Sequence, residues 1–146
     1  MKLSARVTYG LRAALMLASH YGTGPVLGKD ISKAESLPGP YLEQIMTALR
    51  RASIVEGTRG ARGGYALTRA PGAITVTDLV VALDGPIRIS ECPDGVSCCG
   101  SPETCVLDEL YTSVEMAVRE VLDRQTLADL LERRRELSPE ASSYDI

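Results

Sequence analysis

The stretch Ile54-Val55-Glu56-Gly57-Thr58-Arg59-Gly60-Ala61-Arg62-Gly63-Gly64-Tyr65-Ala66-Leu67-Thr68 limits the possible folds of this chain more than any other. Ile54 to Arg59 and Tyr65 to Thr68 read as two strands, and Gly60 to Gly64 as a glycine-rich tip between them. Just upstream, Leu42, Ile45, Met46, Leu49 and Ala52 recur at helical spacing, with Glu43, Gln44, Thr47, Arg50 and Arg51 on the opposite face. Pro40 sits where that helix can begin, because proline lacks an N–H that the first turn leaves unpaired anyway. Before it comes a short helical segment, Asp30 to Glu35, preceded by Gly28 and closed by the turn residues Ser36-Leu37-Pro38-Gly39. Val7, Leu11, Ala14, Leu15 and Ala18 form a first amphipathic helix, which Gly22, Gly24 and Pro25 end.

Two short helices joined by a tight turn and preceded by a third form the skeleton of a helix-turn-helix. The hairpin that follows has what a wing needs: little side-chain bulk, free backbone N–H groups, and Arg59 and Arg62 to approach phosphates or a minor groove. Read alone, the hairpin is more often a solvated loop whose arginines only confer solubility. Beside the helix pair, fold and basic patch agree.

The net charge of −3 is the wrong sign for a protein that meets nucleic acid, until the chain is divided. Residues 1 to 70 carry ten Lys/Arg against four Asp/Glu, a charge of +6, and residues 71 to 146 carry six against fifteen, a charge of −9. Such asymmetry points to a basic module facing phosphate, joined to an acidic half with another task. With 146 residues, 45% of them hydrophobic, the chain can bury one modest core. It holds no apolar run long enough to span a membrane, and Met1-Lys2-Leu3-Ser4-Ala5-Arg6 lacks the features of a secretory signal, so a cytoplasmic location is expected.

Pro71-Gly72 reads as a hinge. Beyond it, Thr75 or Thr77 can cap a helix carrying Leu79, Val80 and Leu83, which Gly85-Pro86 stops. Leu107, Leu110, Val114, Ala117, Val118, Val121 and Leu122 then make a sustained stripe from about residue 106 to 124. A helix of that length in a small protein needs a partner surface, and a second copy of the chain in a homodimer supplies one. Thr126, with Asp129 three residues on, has the pattern of a capping box opening a last helix through Leu127, Leu130, Leu131 and Leu137. The polar tail from Ser138 to Ile146 is expected to fray.

All four cysteines, Cys92, Cys98, Cys99 and Cys105, fall within fourteen consecutive residues, among Gly, Pro, Ser and Asp. Cysteines that serve packing sit among apolar helices, whereas these lie in turn chemistry and read as ligands. In a reducing compartment clustered thiols bind metal or sense redox state more often than they form permanent disulfides. No catalytic constellation accompanies them. The single histidine, His20, lies at the end of the first helix and reads as structural, and there is no phosphate-binding loop, so the chain reads as a regulator and not an enzyme.

Several of these segments together resemble the IscR/NsrR/CymR family of bacterial transcription regulators. They are Met1-Lys2-Leu3-Ser4, the helix beginning Tyr41-Leu42-Glu43-Gln44, the wing Arg59 to Tyr65, and the Asp84-Gly85 turn ahead of the cysteine loop; the match runs to about residue 135. The resemblance implies a mainly α, winged helix-turn-helix protein with a two-stranded wing and a long dimerisation helix. It would be organised as a DNA-binding region at residues 1 to 84, a cysteine sensor loop at 85 to 105, a dimerisation helix and C-terminal helix at 106 to 137, and a tail at 138 to 146. The partner implied is double-stranded promoter DNA. Tyr41, Glu43 and Gln44 would read base edges, Arg50 and Arg51 would meet phosphate, and Arg59 and Arg62 would serve in the wing.

The resemblance also implies an iron-sulfur cluster in the loop, 2Fe-2S in preference to 4Fe-4S. Cys92, either Cys98 or Cys99, and Cys105 match the family's three-cysteine spacing, with one thiol left over. Where IscR-like proteins place a histidine three residues after the last cysteine, this chain has Asp108. NsrR-like proteins take a carboxylate from near the start of the partner subunit, and no Asp or Glu precedes Asp30 here. The fourth ligand is therefore Asp108, the extra cysteine or an external molecule. A carboxylate is a harder donor to iron than thiolate or imidazole and makes a more exchangeable site. A zinc clasp with the same donors, or a metal-free thiol switch, are the alternatives.

Overall fold

In the computed structural model, residues 2–89 and 106–138 are described. The elements run α1 (Ala5–Ser19), α2 (Gly28–Glu35), α3 (Gly39–Arg51), β1 (Val55–Thr58), β2 (Gly64–Leu67), a 3₁₀ turn (Pro71–Ala73), α4 (Val76–Asp84), α5 (Val106–Asp123) and α6 (Leu127–Leu137). The fold is a winged helix: a helical core with one antiparallel hairpin, in which Val55 pairs with Leu67 and Thr58 with Gly64.

α3 buries the expected Leu42, Ile45, Met46 and Leu49, with Ala52 exposed as its C-cap. α1, packed on several elements, instead turns Ala13 and Leu17 inward and leaves the expected Leu11 and Leu15 only half-buried. Val7, Ala13, Ala14, Leu17 and Ala18 of α1, Ile31 of α2, and Leu42, Ile45, Met46 and Leu49 of α3 meet in one core. Ser4 caps α1 by accepting the Val7 N–H, and its hydroxyl donates to Asp84 Oδ1 at 2.7 Å. Two of the segments carrying the family resemblance, at residues 4 and 84, thus meet in space. The α2–α3 turn is made by Ser36 in the left-handed region (φ 54°), the buried Leu37, and Pro38 as the residue before α3. Pro40 sits in the first turn, where its missing N–H costs nothing.

The wing has a third member. Val26, between α1 and α2, exchanges two 2.8 Å backbone hydrogen bonds with Tyr65. The tight crossing explains the glycines. Gly64 has φ +148°, and a Cβ there would lie 2.2 Å from the Val26 carbonyl oxygen, while one on Gly63 would lie 2.1 Å from that of Thr58. No side chain fits either place without moving backbone.

The C-terminal helix belongs to the same core. Leu127 is fully buried and Leu131 nearly so, and α6 packs on α1 and on the 3₁₀ turn. Pro71-Gly72, expected as a hinge, is that packed turn: a Cβ on Gly72 would sit 3.9 Å from the Ala128 Cβ. Thr75 and Thr126 each open a helix with a capping box, with Asp78 and Asp129 as the returning carboxylates. The two caps lie side by side, bridged by Val76 N–H to the Gln125 carbonyl (2.8 Å) and Leu127 N–H to the Ile74 carbonyl (3.0 Å). Core and C-terminal helix are therefore joined at their starts.

Hydrogen bonds from the Thr126 hydroxyl, and secondarily from its backbone N–H, hold the Asp129 carboxyl below its ordinary value of 3.8. A depressed carboxylate adds stability that is complete above the unfolded value and is lost as pH falls through the lower folded one. In Thr126→Ala, Asp129 is expected to titrate at a higher pH, as a carbon-detected NMR titration would read. An unchanged Asp129 would mean that the cap does not set its acidity.

α5 differs from every other helix in burying no residue. Leu107, Leu110, Val114, Ala117 and Val121 follow one another at steps of three and four, the spacing of a coiled-coil seam, and Leu107, Leu110 and Val121 are exposed. Leu122 packs on the core. No helix among the described residues is long and apolar enough to cross a membrane.

Candidate nucleic-acid interface

The helix-turn-helix is fixed to α1 by a chain of contacts. Arg12 Nε lies 2.6 Å from Glu35 Oε2 of α2, and its guanidinium lies 5.6 Å from the Tyr9 ring centroid. The Tyr9 ring in turn meets Tyr41 of α3 edge-on, at 6.1 Å and 85°. Tyr41 is accordingly half-buried against the core, so its ring anchors the start of α3. Glu43, Gln44 and Thr47 are exposed on the outer face of α3, where the Thr47 hydroxyl donates to the Glu43 carbonyl at 2.7 Å.

Arg50 and Arg51 end the same helix and are both exposed, but they go to different neighbours. The Arg50 guanidinium lies over β1, 3.6 Å from where a Cβ on Gly57 would stand, and so ties α3 to the wing. Arg51 lines a separate cavity with Arg69 and Arg119. Arg59 and Arg62 are exposed at the hairpin tip. Glu43, Gln44, Arg50, Arg59 and Arg62 are thus carried by α3 and by the hairpin packed beside it, whereas Tyr41 and Arg51 have other surroundings.

One part of the surface was not anticipated from sequence. An open groove of ≈ 760 Å³ between α2 and α3 is lined by Lys29, Ser32, Lys33, Glu43 and Tyr65 among others. Lys29 and Lys33 are one helical turn apart, and that spacing in the short α2 was the available signal. They add two cations next to Glu43, a carboxylate that can accept from a cytosine amine and repels phosphate. A winged helix with a cationic rim around one acidic and one amide side chain has the means to hold a duplex by its backbone and to test base edges.

Of the ligands expected for a metal, Cys92, Cys98, Cys99 and Cys105 lie outside the described residues. Asp108 is exposed in the first turn of α5, three residues after Cys105. Among the described residues no group of His, Cys, Asp and Glu is placed to hold a metal ion. The described residues on either side of the cysteines, Ile89 and Val106, both involve α5. Ile89 N–H donates to Glu115 Oε1 of α5 at 2.5 Å, and Val106 begins α5 itself. His20 is bound locally, with Nδ1 2.9 Å from the Met16 carbonyl, in agreement with a structural role.

The fold is that of winged-helix transcriptional regulators, a class that binds DNA. A family model described as Rrf2, iron-dependent transcriptional regulator, matches residues 3–133, and the chain belongs to this family. Over 130 residues it is 40% identical to the HTH-type transcriptional regulator CymR of Bacillus subtilis, covering 89% of each chain. Over 131 residues it is 33% identical to the HTH-type transcriptional regulator IscR of Erwinia tasmaniensis, covering 90% of this chain and 79% of that one. Among solved structures, T. potens IscR superimposes with a TM-score of 0.77 at 36% identity, covering 94% of this chain and 91% of that one. The structure of CymR, titled the global cysteine regulator of B. subtilis, gives 0.76 at 38%, covering 91% and 98%. These relatives are transcriptional regulators, and the chain is not an enzyme.

Proposed function

We propose that the chain is a homodimeric regulator of promoter DNA that senses iron-sulfur status or redox and nitrosative stress through an iron-sulfur cluster, 2Fe-2S in preference to 4Fe-4S. Cys92, Cys98 or Cys99, and Cys105 would hold the cluster, with Asp108 or the remaining cysteine as fourth ligand. The donor set fits such a group: four thiols and a carboxylate exceed the three cysteines that the family spacing requires. When bound, the cluster would supply a centre sensitive to oxidants and to iron supply.

The observation that carries this reading is that the residues flanking the cysteines, Ile89 and Val106, respectively bond to and begin α5. Any change that orders or releases the cysteines acts directly on α5. That helix presents the exposed seam on which a second copy would pack, so its setting fixes the separation of two recognition helices on a duplex. Leu110 lies on the seam. Leu110→Glu is expected to convert a dimer to a folded monomer in sedimentation analysis, and a dimer that survives would move the interface elsewhere.

The cofactor is tested by a visible spectrum with iron, zinc and sulfide analysis on protein purified without oxygen, beside the four single Cys→Ala variants. Coloured protein with matched iron and sulfide is expected, bleached by Cys92→Ala and Cys105→Ala. Stoichiometric zinc without colour would replace the cluster by a clasp. The similarity to CymR regulators, of which that of Staphylococcus aureus has been solved in an oxidised form, favours a metal-free thiol switch as the second reading. Protein that takes up no metal on attempted reconstitution would support it.

A further inference from the structure

A second cavity, of ≈ 500 Å³, lies where the end of α3, α4 and α5 come together, and it is lined by Arg51, Arg69 and Arg119 with Thr77, Asp78 and Val81. Its volume falls within the roughly 300–1,000 Å³ of small-molecule sites. Three guanidinium groups face one carboxylate, so the lining is cationic in a protein whose net charge is −3.

The three arginines are held differently. Arg69 is fixed, with Nε donating to the Ala73 carbonyl at 3.1 Å, one terminal nitrogen donating to the Ser53 carbonyl at 3.3 Å, and the other 3.6 Å from Asp78 Oδ2. Arg119 has only a loose, exposed pair with Asp123 at 3.8 Å, of the kind that contributes little. Arg51 has no ion pair among the described residues. Thr77 is 4% exposed, and its hydroxyl has no hydrogen-bond partner among the described residues. One guanidinium preset by backbone carbonyls, beside two that are exposed and at most loosely paired, is a donor set suited to an anionic oxygen acceptor.

We propose that this cavity binds a small ligand through a phosphate- or sulfate-like oxyanion, clamped by Arg51 of α3, Arg69 before α4 and Arg119 of α5, with Thr77 lining the site. The ligand would tie α5 to the winged-helix core, which α5 otherwise touches without burying a residue. This is an input to the setting of α5 that does not depend on the cysteines. A duplex backbone offers the same chemistry, because Arg51 ends the helix that carries Gln44, and the test separates the two.

Inorganic phosphate is titrated into the wild-type protein, Arg119→Gln and Arg51→Gln at constant ionic strength against chloride, with thermal midpoint and heat of binding recorded. The wild type is expected to bind and to rise in midpoint. Arg119→Gln and Arg51→Gln should each bind roughly tenfold or more weakly, as loss of one charge-assisted hydrogen bond implies. The Arg119 side chain is 66% exposed, so its replacement leaves the fold intact. Phosphate acting no differently from chloride, or binding unchanged in both variants, would overturn the proposal. So would a salt slope for duplex DNA that falls by about 1 in Arg119→Gln, which would make the duplex backbone the occupant.

Discussion

Leu127→Ala is expected to cost about 2–5 kcal/mol of folding stability, because the site is fully buried and rigidly framed. Leu127 is the first residue of α6, its N–H bound to the Ile74 carbonyl and its side chain in the core that α1 and α4 share. The neighbouring backbone is stapled through the paired caps at Thr75 and Thr126, so the cavity left by alanine cannot readily collapse. Small domains hold roughly 5–15 kcal/mol in total, and such a loss would show as a large drop in urea midpoint. Leu137→Ala, at the exposed end of the same helix, should change stability by no more than about 0.5 kcal/mol. If both substitutions were equally mild, α6 would be an appendage to the winged helix and not part of its core.

Gly64→Ala is expected to abolish tight DNA binding while leaving the helical core folded. The added Cβ meets the Val26 carbonyl at 2.2 Å, and the backbone already has a positive φ that L residues avoid. Relief requires breaking the two Val26–Tyr65 hydrogen bonds, which detaches β2 from the segment leading into α2. The tip arginines Arg59 and Arg62 then lose their placement relative to Glu43 and Gln44. Arg59→Ala with Arg62→Ala is the matching control: it should weaken all sequences alike and lower the salt slope by about 0.9 for each phosphate that is no longer neutralised. Gly64→Ala should lose at least as much affinity as that pair. A variant with wild-type affinity would show that the wing takes no part in binding.

The winged helix was largely legible because each helix is bounded by its own chemistry. Thr75 and Thr126 cap, Gly85 terminates α4, and the stripe of α3 buries from Leu42 to Leu49, although α1 buries Ala13 and Leu17 in place of the expected Leu11 and Leu15. The hairpin was legible through Gly60 to Gly64, but Gly64 itself belongs to β2, paired with Thr58. A glycine in a strand gives no side-chain pattern to read. Val26 as a third wing member was illegible because a single bridged residue has no periodicity.

What sequence could not supply was partner choice. The apolar stripe of α6 shows that it must pack, not that it packs on α1. Pro71-Gly72 has hinge composition, yet it is held as a packed turn by Ala128, more than fifty residues away. Arg51, Arg69 and Arg119 are far apart in the chain and share a cavity only because α4 brings α3 and α5 together. The link from Glu115 to Ile89 is of the same kind. The cysteine cluster, the most visible feature of the sequence, keeps its meaning from spacing and resemblance alone.

The most direct measurement is the affinity of the protein for a duplex that it selects from random DNA, by fluorescence anisotropy at fixed salt, for anaerobically loaded and chelator-stripped wild type and for Cys92→Ala. Control of α5 by the cysteine segment predicts that loading changes wild-type affinity by about tenfold or more, within the usual range of allosteric coupling, and that Cys92→Ala does not respond. Equal affinity for loaded and stripped wild type would contradict it.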